Sequence, residues 1–366
     1  MFLRAALAGI AGFWCGACSS VPLQPAPDAG AITTTPPVSM TRTVTVFDTA
    51  RISSDSSAPN FQRLTADIDL SGGPYQSATL IADLGSTCVP FSSWADNRPP
   101  AGQNYPADCD AFDRNFEISL DNPEADSGAA PGLELVRAIT PFGGPMHVEH
   151  DLTVLANGLP GTHHLSAKIN TYPDPMGLIS GSDGGWNLSL ELALVTGAPA
   201  LHPLAVVPLF YGDMTTVDSA SASFTTPVGT RSAYIEYRTT GHGQAAGSAL
   251  DCSGPAEEFC RRLHTIQLDG TTLKTFTPWQ SCSAACTLVS TGGDAGMQYC
   301  EQNPCGDIAS VKASRANWCP GSESPPITID SPALAAPGTH ELSWQISDIA
   351  AGGNVRVSVT YYALGD

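Results

Sequence analysis

Residues Trp186–Leu194 read WNLSLELAL, so that a large apolar side chain occupies every second position. Side chains of a β-strand point alternately to opposite faces, and this stretch therefore predicts a strand with one apolar and one mostly polar face. The same alternation is found in Glu341–Ile346 and Val355–Tyr361. Similar runs occur at residues 43–47, 78–82, 116–120, 147–153, 165–171, 205–210, 231–238 and 264–269.

Turn-forming residues separate the alternating runs, for example in Asp121–Pro123 and Ala335–Gly338. No amphipathic stretch of helix length interrupts them. Many short strands joined by turns predict an all-β fold, here two antiparallel jelly-roll or β-sandwich units. We place the N-terminal domain at residues 43–197 and the C-terminal domain at residues 201–366, with the joint in Gly197–Ala200.

The composition excludes several classes of protein. The chain has 366 residues, 16 Lys and Arg against 35 Asp and Glu, and a net charge of −19. A nucleic-acid-binding protein needs a basic surface, so we expect no nucleic-acid partner. The 35 Gly and 30 Pro follow no period, which excludes collagen.

The N-terminus has the pattern of an export signal followed by a tether. The apolar run Ala5–Trp14 is too short to span a bilayer and fits a signal peptide, which we place at residues 1–18. Small residues before Cys18 resemble a bacterial lipoprotein cleavage box, with Cys18 as the lipidated residue. Residues 19–42, rich in Pro, Ser and Thr, predict a flexible linker. We therefore expect a cell-envelope lipoprotein, at the outer membrane or cell surface and touching the membrane only through its anchor, with plain secretion as the alternative.

Eleven cysteines in an exported chain indicate disulfides. Outside the signal region nine remain, so at least one is unpaired or bonded between molecules. A zinc site built on Cys282, Cys286, Cys300 and Cys305 is the less favoured reading, because the spacing is loose.

Most sequence signatures of catalysis are missing. The chain has no G-x-S-x-G, no H-E-x-x-H and no phosphate-binding glycine loop. His147 and His150 are three residues apart, which on a strand points them to opposite faces. Two acidic clusters remain, Asp108–Arg114 and Glu257–Arg262, and each contains a Cys and an Arg that could hold a carboxylate ionised. Solvated loops with local ion pairs are the plain alternative, and the first cluster lacks the Gly and Glu of a calcium loop.

At these clusters the chain resembles the peptide-N-glycosidase F family of bacterial secreted amidases. Five segments match family motifs in the family's order: Cys109–Arg114 (C-D-E-W-D-R), Arg137–Phe142 (R-F-I-T-P-Y), Ala205–Pro208 (A-V-V-P), Glu258–Ile266 (E-W-C-F-R-T-H-T-I) and Arg315–Gly321 (R-A-G-W-C-P-G). They cover residues 44–362. The resemblance implies two jelly rolls side by side, with an active site between them that hydrolyses the amide joining Asn to N-acetylglucosamine.

The resemblance also implies roles for particular residues. Asp113 corresponds to the primary catalytic carboxylate and Glu258 to a second acid near the sugar, while Arg114 and Arg315 hold the carboxylate and bind substrate. The implied substrate-binding residues are Asp110, Phe112, His242, Phe259 and Trp318. No metal and no cofactor are implied. The implied disulfides are Cys88–Cys109, Cys252–Cys260 and Cys282–Cys319, so that Cys286, Cys300 and Cys305 share one bond and one free thiol.

Departures from the family suggest an altered glycan preference. Phe112 and Phe259 stand where the family has Trp, and Gly241–Gln244 replaces G-W-G-H. Thr171–Asp174 replaces T-E-T-W, so that a third carboxylate is lost unless Asp174 substitutes for it. The alternatives are a non-catalytic surface lipoprotein that binds glycans or proteins on the same scaffold and, less favoured, a copper-dependent monooxygenase. We expect a monomer whose substrates are N-glycoproteins or glycopeptides.

Overall fold

The computed structural model describes residues 40–88, 98–122, 131–216, 219–246, 251–290 and 298–366. The predicted signal peptide, Cys18 and nearly all of the linker lie outside these residues. The described residues form nineteen strands, numbered in chain order, and two short helices, α1 (Thr153–Gly158) and α2 (Ile308–Lys312). None of the helices in these ranges has the length and apolar character needed to cross a membrane.

The first sandwich packs a four-stranded sheet on a five-stranded one. The four-stranded sheet has the order β1-β8-β3-β6, formed by Thr41–Ser53, Gly185–Thr196, Tyr75–Ser86 and Met146–Asp151. The five-stranded sheet has the order β16-β5-β4-β7-β2, formed by Ser322–Glu323, Leu133–Ile139, Asn115–Leu120, Thr162–Ile169 and Arg63–Asp69. Apolar side chains from both sheets, such as Leu190 and Ile118, form one buried core.

The second sandwich consists of two four-stranded sheets. One has the order β17-β11-β19-β9, formed by Ile327–Asp330, Ser232–Ala246, Ala351–Gly365 and His202–Met214. The other has the order β10-β18-β12-β13, formed by Ser219–Thr226, Gly338–Ile346, His264–Leu268 and Thr271–Phe276. A second core fills the space between these sheets. A small hairpin, β14 (Leu288–Ser290) with β15 (Gln298–Cys300), lies outside both.

The predicted all-β fold of two antiparallel sandwiches side by side is confirmed. Trp186, Leu188, Leu190, Leu192 and Leu194 are all buried, as the alternation along β8 predicts. Each alternating run of the sequence lies in or overlaps a strand. The domain limits 43–197 and 201–366 remain a prediction. Strand β16 and Tyr362 of β19, both from the C-terminal range, belong to the sheet and the core of the first sandwich.

The two sandwiches are joined by shared structure and by buried charges. Strand β16, which comes late in the chain, pairs antiparallel with β5 of the first sandwich, and Tyr362 of β19 packs in the first core. Arg356 of β19 binds Glu117 of β4 through Nε at 2.9 Å and Nη2 at 3.0 Å. Arg137 of β5 donates to the backbone oxygen of Arg356 at 2.6 Å. Breaking a buried ion pair costs about 3–5 kcal/mol, so these contacts fix the sandwiches to each other.

Candidate active site

Asp110 anchors the loop that precedes β4. Its carboxylate is fully buried and accepts hydrogen bonds from Thr171 Oγ1 at 2.6 Å and Trp186 Nε1 at 3.4 Å. Arg114 approaches it with Nε 3.1 Å from both oxygens and Nη2 3.0 Å from Oδ1. The family resemblance implies that Asp110 binds substrate. In the structure both of its carboxylate oxygens have partners within the protein.

Asp113 lies one residue before Arg114 in the sequence but does not pair with it. Backbone contacts hold the segment, because the Arg114 N–H donates to Thr140 Oγ1 and the Thr140 N–H donates to the Arg114 carbonyl, both at 2.8 Å. Burial and, to a smaller extent, the charge of Glu258 raise the pKa of the Asp113 carboxyl to about 7, although Arg315 and Arg114 partly oppose the rise. Asp113 can therefore exchange a proton near neutral pH.

Glu258 comes from the second sandwich and interacts with Asp113 through its charge. It lies in a short 3₁₀ turn, Glu257–Phe259, just before β12. Arg315 donates through Nε to Glu258 Oε1 at 3.2 Å, and the carboxylate remains partly exposed. Burial raises the pKa of Glu258, and Arg315 counteracts part of that rise. The structure thus brings together Asp113, Glu258 and Arg315, which are far apart in the chain.

Arg315 is held by contacts on every side. Its guanidinium is completely buried, and its Nη1 donates to the backbone oxygens of Ser310 at 2.7 Å and Ala313 at 3.0 Å. The rings of Phe259 and Trp318 lie at 5.0 and 4.7 Å from its Cζ. The family resemblance implies that Arg315 holds a carboxylate and binds substrate. In the structure its Nε donates to Glu258 and its Nη2 donates to Ser310 Oγ at 3.2 Å, and substrate binding stays a prediction.

Trp318 packs against the Arg315 guanidinium, and His242 packs against Trp318. The Trp318 indole is buried and donates to the Gly241 carbonyl at 2.9 Å. His242 stacks on Trp318 with ring centroids 5.6 Å apart and contacts Thr240 Oγ1 at 2.8 Å. Burial, together with the charge of Arg137, lowers the pKa of His242 to about 3, so the imidazole is neutral at neutral pH. Trp318 is buried and His242 is partly exposed, and their predicted contact with substrate stays a prediction.

The neighbouring acid Glu257 has a structural partner. It is fully buried and binds Arg262 through Nε and Nη2, the latter at 2.9 Å, while the Ala350 N–H donates to its Oε2 at 3.2 Å. Of the two consecutive glutamates, only Glu258 is directed to Asp113 and Arg315. The sequence pattern could not decide between them without the family resemblance.

Aromatic and apolar side chains form the outer wall near Asp113. The Arg114 guanidinium lies between the rings of Phe112 at 5.4 Å and Tyr172 at 5.6 Å. Tyr172 is 56% exposed and begins a loop that also exposes Met176, Leu178 and Ile179. Asp174 accepts from the backbone N–H groups of Ile179 at 2.6 Å and Ser180 at 2.7 Å, which fixes this loop. Its carboxylate is thus engaged in holding the loop.

Disulfides brace both acidic clusters. The structure contains the three implied bonds, Cys88–Cys109, Cys252–Cys260 and Cys282–Cys319, and a fourth, Cys286–Cys300. Cys305 is the free thiol among the described residues. Its sulfur lies close to the Cys88–Cys109 bond, and within the described ranges these three sulfurs form the one cluster with metal-ligand spacing. Because two of them are joined to each other, this cluster is not a set of thiolate ligands.

The histidines are distributed over the surface and the interior. His147, His163, His164 and His340 each contact an aspartate within 3.0 Å, and His150 contacts Glu323 at 2.7 Å. His264 is buried against Tyr237, whose hydroxyl lies 3.0 Å from its Nδ1. In the part of the chain that the structure describes, no group of three potential ligands includes a histidine. This arrangement gives no support to a copper site.

The comparisons agree with this architecture. The family model for the C-terminal domain of peptide-N-glycosidase F matches residues 210–363. PNGase F, a glycosylasparaginase from Flavobacterium meningosepticum, is 18% identical, with a TM-score of 0.63, over 89% of this chain and 96% of that one. PNGF-II is 19% identical, with a TM-score of 0.64, over 89% of this chain and 65% of its own. A search of curated protein sequences found no significant match.

Fold and site together define a protein of paired antiparallel β-sandwiches in which Asp113 of the first sandwich and Glu258 of the second interact through their charges. Residues 210–363 match the family's C-terminal domain in sequence, and the chain shares the fold of the peptide-N-glycosidase F structures over 89% of its length.

Proposed function

We propose that this protein is a peptide-N4-(N-acetyl-β-glucosaminyl)asparagine amidase. The observation that carries the proposal is the pair Asp113 and Glu258, contributed by different sandwiches, with the pKa of Asp113 raised to about 7. A general base is most effective when its pKa lies near the working pH. A purely structural aspartate gains nothing from such an environment, because burial without an ion-pair partner costs free energy.

In the proposed reaction Asp113 takes a proton from water as the water oxygen attacks the carbonyl carbon of the glycosylated Asn. The carbon–nitrogen bond then breaks, and the nitrogen leaves on the sugar as a glycosylamine after receiving a proton. The Asn becomes Asp, and water later displaces ammonia from the glycosylamine. In this proposal Glu258 acts on the sugar side through water, and its contact with Arg315 supports that role by fixing the carboxylate. None of these steps draws on a metal or a cofactor.

The remaining site residues act as positioning residues in this proposal. Asp110 holds the Arg114 guanidinium in an ion pair, close to Asp113. Arg114 therefore forms no ion pair with Asp113, and the Asp113 carboxylate keeps its basicity. Trp318 and Phe259 sandwich Arg315, and Arg315 orients Glu258. Phe112 and the exposed Tyr172 offer flat apolar faces to substrate. The glycan-binding rim thus differs from that of the family while the acids are kept, so we propose a different glycan preference.

We further propose that the protein works outside the cytoplasm, as a monomer. The four disulfides of the described residues support export, because such bonds persist in oxidising compartments. The N-terminal signal and Cys18 would make it a lipid-anchored enzyme of the cell envelope, with secretion as the alternative. Mass spectrometry of the mature N-terminus distinguishes a diacylated Cys18 from an unmodified cleaved chain.

The deciding experiment is incubation of the purified protein with N-glycopeptides of high-mannose, complex and core-fucosylated types. Conversion of Asn to Asp, read as a mass increase of the peptide in ¹⁸O-labelled water, together with release of the intact glycan, supports the amidase. A complete lack of conversion across all three types, at pH 6 to 9, would reject it. Binding without conversion would favour the non-catalytic glycan-binding alternative. The buried Arg315 is compatible with that alternative too, because its donors are bound within the protein.

A further inference from the structure

A groove lies on the second sandwich beside Phe259, the residue that follows Glu258. It has a volume of about 630 Å³, within the range of small-ligand sites, and opens to solvent. Its lining includes Ser253, Phe259, Arg261, Trp279, Ser310 and Ala313. None of the roles assigned above involves Arg261 or Trp279.

The groove shares its inner wall with the machinery that holds Glu258. Phe259 follows Glu258 directly and packs on the Arg315 guanidinium at 5.0 Å. The Ser310 and Ala313 carbonyls that line the groove region accept from Arg315 Nη1. The groove therefore adjoins the residues that hold Arg315 and, through it, Glu258.

The outer wall carries a positive charge on an aromatic surface. Arg261 is exposed, and its Cζ lies 4.6 Å from the centroid of the Trp279 ring. The neighbouring Arg262 and the nearby Arg315 are buried and bound to Glu257 and Glu258, whereas no described carboxylate forms an ion pair with Arg261. Stacking fixes a guanidinium by its face and leaves its N–H donors free at the edge. Those donors match the two oxygens of a carboxylate.

We propose that this groove is a subsite for an acidic branch of the glycan, with Arg261 binding a sugar carboxylate and Trp279 and Phe259 packing against the sugar rings. The inference rests on the proposed function, which places the first sugar at Glu258. The chain has a net charge of −19, so an exposed, unpaired cation on an aromatic platform is a local exception in an acidic protein. Sulfated sugars share this anion chemistry, and the test separates them from carboxylated ones.

The test uses the Asp113→Asn variant, so that binding is read without turnover. Calorimetry compares one N-glycopeptide in sialylated, enzymatically desialylated and sulfated forms. We expect the sialylated form to bind about five- to tenfold more tightly than the neutral one, with the preference weakened by salt. Added Arg261→Gln should remove the preference, added Arg261→Lys should keep part of it, and added Trp279→Ala should weaken all forms. Added Arg231→Gln, an exposed control at the Asp366 ion pair, should change nothing.

Equal affinity for sialylated and neutral forms, or a preference that survives Arg261→Gln, overturns the inference. A stronger preference for the sulfated form assigns the groove to sulfated sugars and rejects the carboxylate reading. With Asp113 intact, Arg261→Gln should raise KM for sialylated substrates and leave kcat and the neutral substrate unaffected. If neutral and sialylated glycopeptides are cleaved equally well, the amidase stands and the subsite fails. If nothing is cleaved but the Arg261-dependent preference is present, the subsite stands and the amidase fails.

Discussion

The Arg114 guanidinium faces the carboxylate of Asp110, with its Nε 3.1 Å from both oxygens and its Nη2 3.0 Å from Oδ1. This pairing between residues four apart takes Arg114 away from Asp113, its immediate neighbour in the chain. Asp113 consequently lacks an ion-pair partner, and burial raises its pKa to about 7. The first two predictions concern this carboxyl group directly.

Replacing Asp113 by Asn should reduce amidase activity by at least about 10³-fold, because the side chain can no longer accept a proton from water. The two side chains have nearly the same shape, so the fold should be kept. The measurement is the initial rate of Asn-to-Asp conversion by mass spectrometry, with circular dichroism as the check on folding. Near-wild-type activity in the variant would exclude Asp113 as the base.

The same variant should be more stable than the wild type at alkaline pH. The folded pKa of Asp113, about 7, exceeds the ordinary aspartate value of 3.8, so the native protein binds the proton more tightly than the unfolded chain does. The wild type therefore loses stability as the pH rises between these values. The full difference is at most roughly 4 kcal/mol. Urea unfolding at pH 4, 6 and 8 should show a stability gain for the variant that grows with pH, and a gain that is constant with pH contradicts the elevated pKa.

Glu258→Gln should lower the pKa of Asp113, because the charge of Glu258 is one of the influences that raise it. The pKa is measured from the ¹³C chemical shift of the Asp113 carboxyl as a function of pH. Replacement of the distant exposed Asp269, which binds His340, serves as the control for a change in overall charge. An unchanged or higher value after Glu258→Gln would mean that the two acids are not coupled.

Asp110→Asn should release Arg114 and allow it to pair with Asp113, since the carboxylate that holds the guanidinium is lost. We expect the pKa of Asp113 to fall and the acidic limb of the activity profile to move to lower pH. Stability should fall by about 3–5 kcal/mol, as for other buried ion pairs that lose one partner. If activity is lost but the acidic limb of the activity profile stays at its original pH, then Arg114 does not pair with Asp113 when Asp110 is replaced.

Cys305 should be inert in the native protein. Burial raises the pKa of its thiol to about 12, and the charge of Asp110 adds to the rise, so very little thiolate is present at pH 8. Ellman's reagent at pH 8 should detect no thiol from the described residues until the protein is unfolded in guanidinium, when Cys305 should react. Cys305→Ser should leave all four disulfides in place by peptide mapping. Rapid native labelling of Cys305 contradicts this environment.

The sequence predicted the fold well where strands have one face in the core. Alternation located β8 and β18 because every second side chain is buried. It also located β19, where apolar and polar residues alternate although nearly all of the side chains are buried. It missed β5, Leu133–Ile139, because that strand is buried on both faces and its charged residues, Glu134 and Arg137, bind each other at 2.7 Å between the sandwiches. It missed β10, Ser219–Thr226, whose small side chains give little apolar contrast.

Only the family resemblance predicted that residues of the two acidic clusters form one site. Periodicity gives no information on the meeting of Asp113 with Glu258, because their approach depends on how the two sandwiches pack. The pairing of Arg114 with Asp110 could not be predicted from the sequence pattern for a different reason. Adjacent residues on an extended chain point apart, and the loop geometry, not the spacing, turns the guanidinium to Asp110. The burial of Trp318 against the Gly241 carbonyl could not be predicted from the sequence either, whereas His242, which stacks on it, is partly exposed.

Strand β16, although it belongs to the last fifth of the chain, forms the edge of the first sandwich's sheet. A fragment that ends at the Gly197–Ala200 joint would therefore expose the unpaired N–H and C=O groups of β5, and such open edges promote aggregation. It would also lack Tyr362 in its core and Arg356 beside Glu117. The two halves are thus not interchangeable modules, because each completes a sheet edge, a core or a buried ion pair of the other.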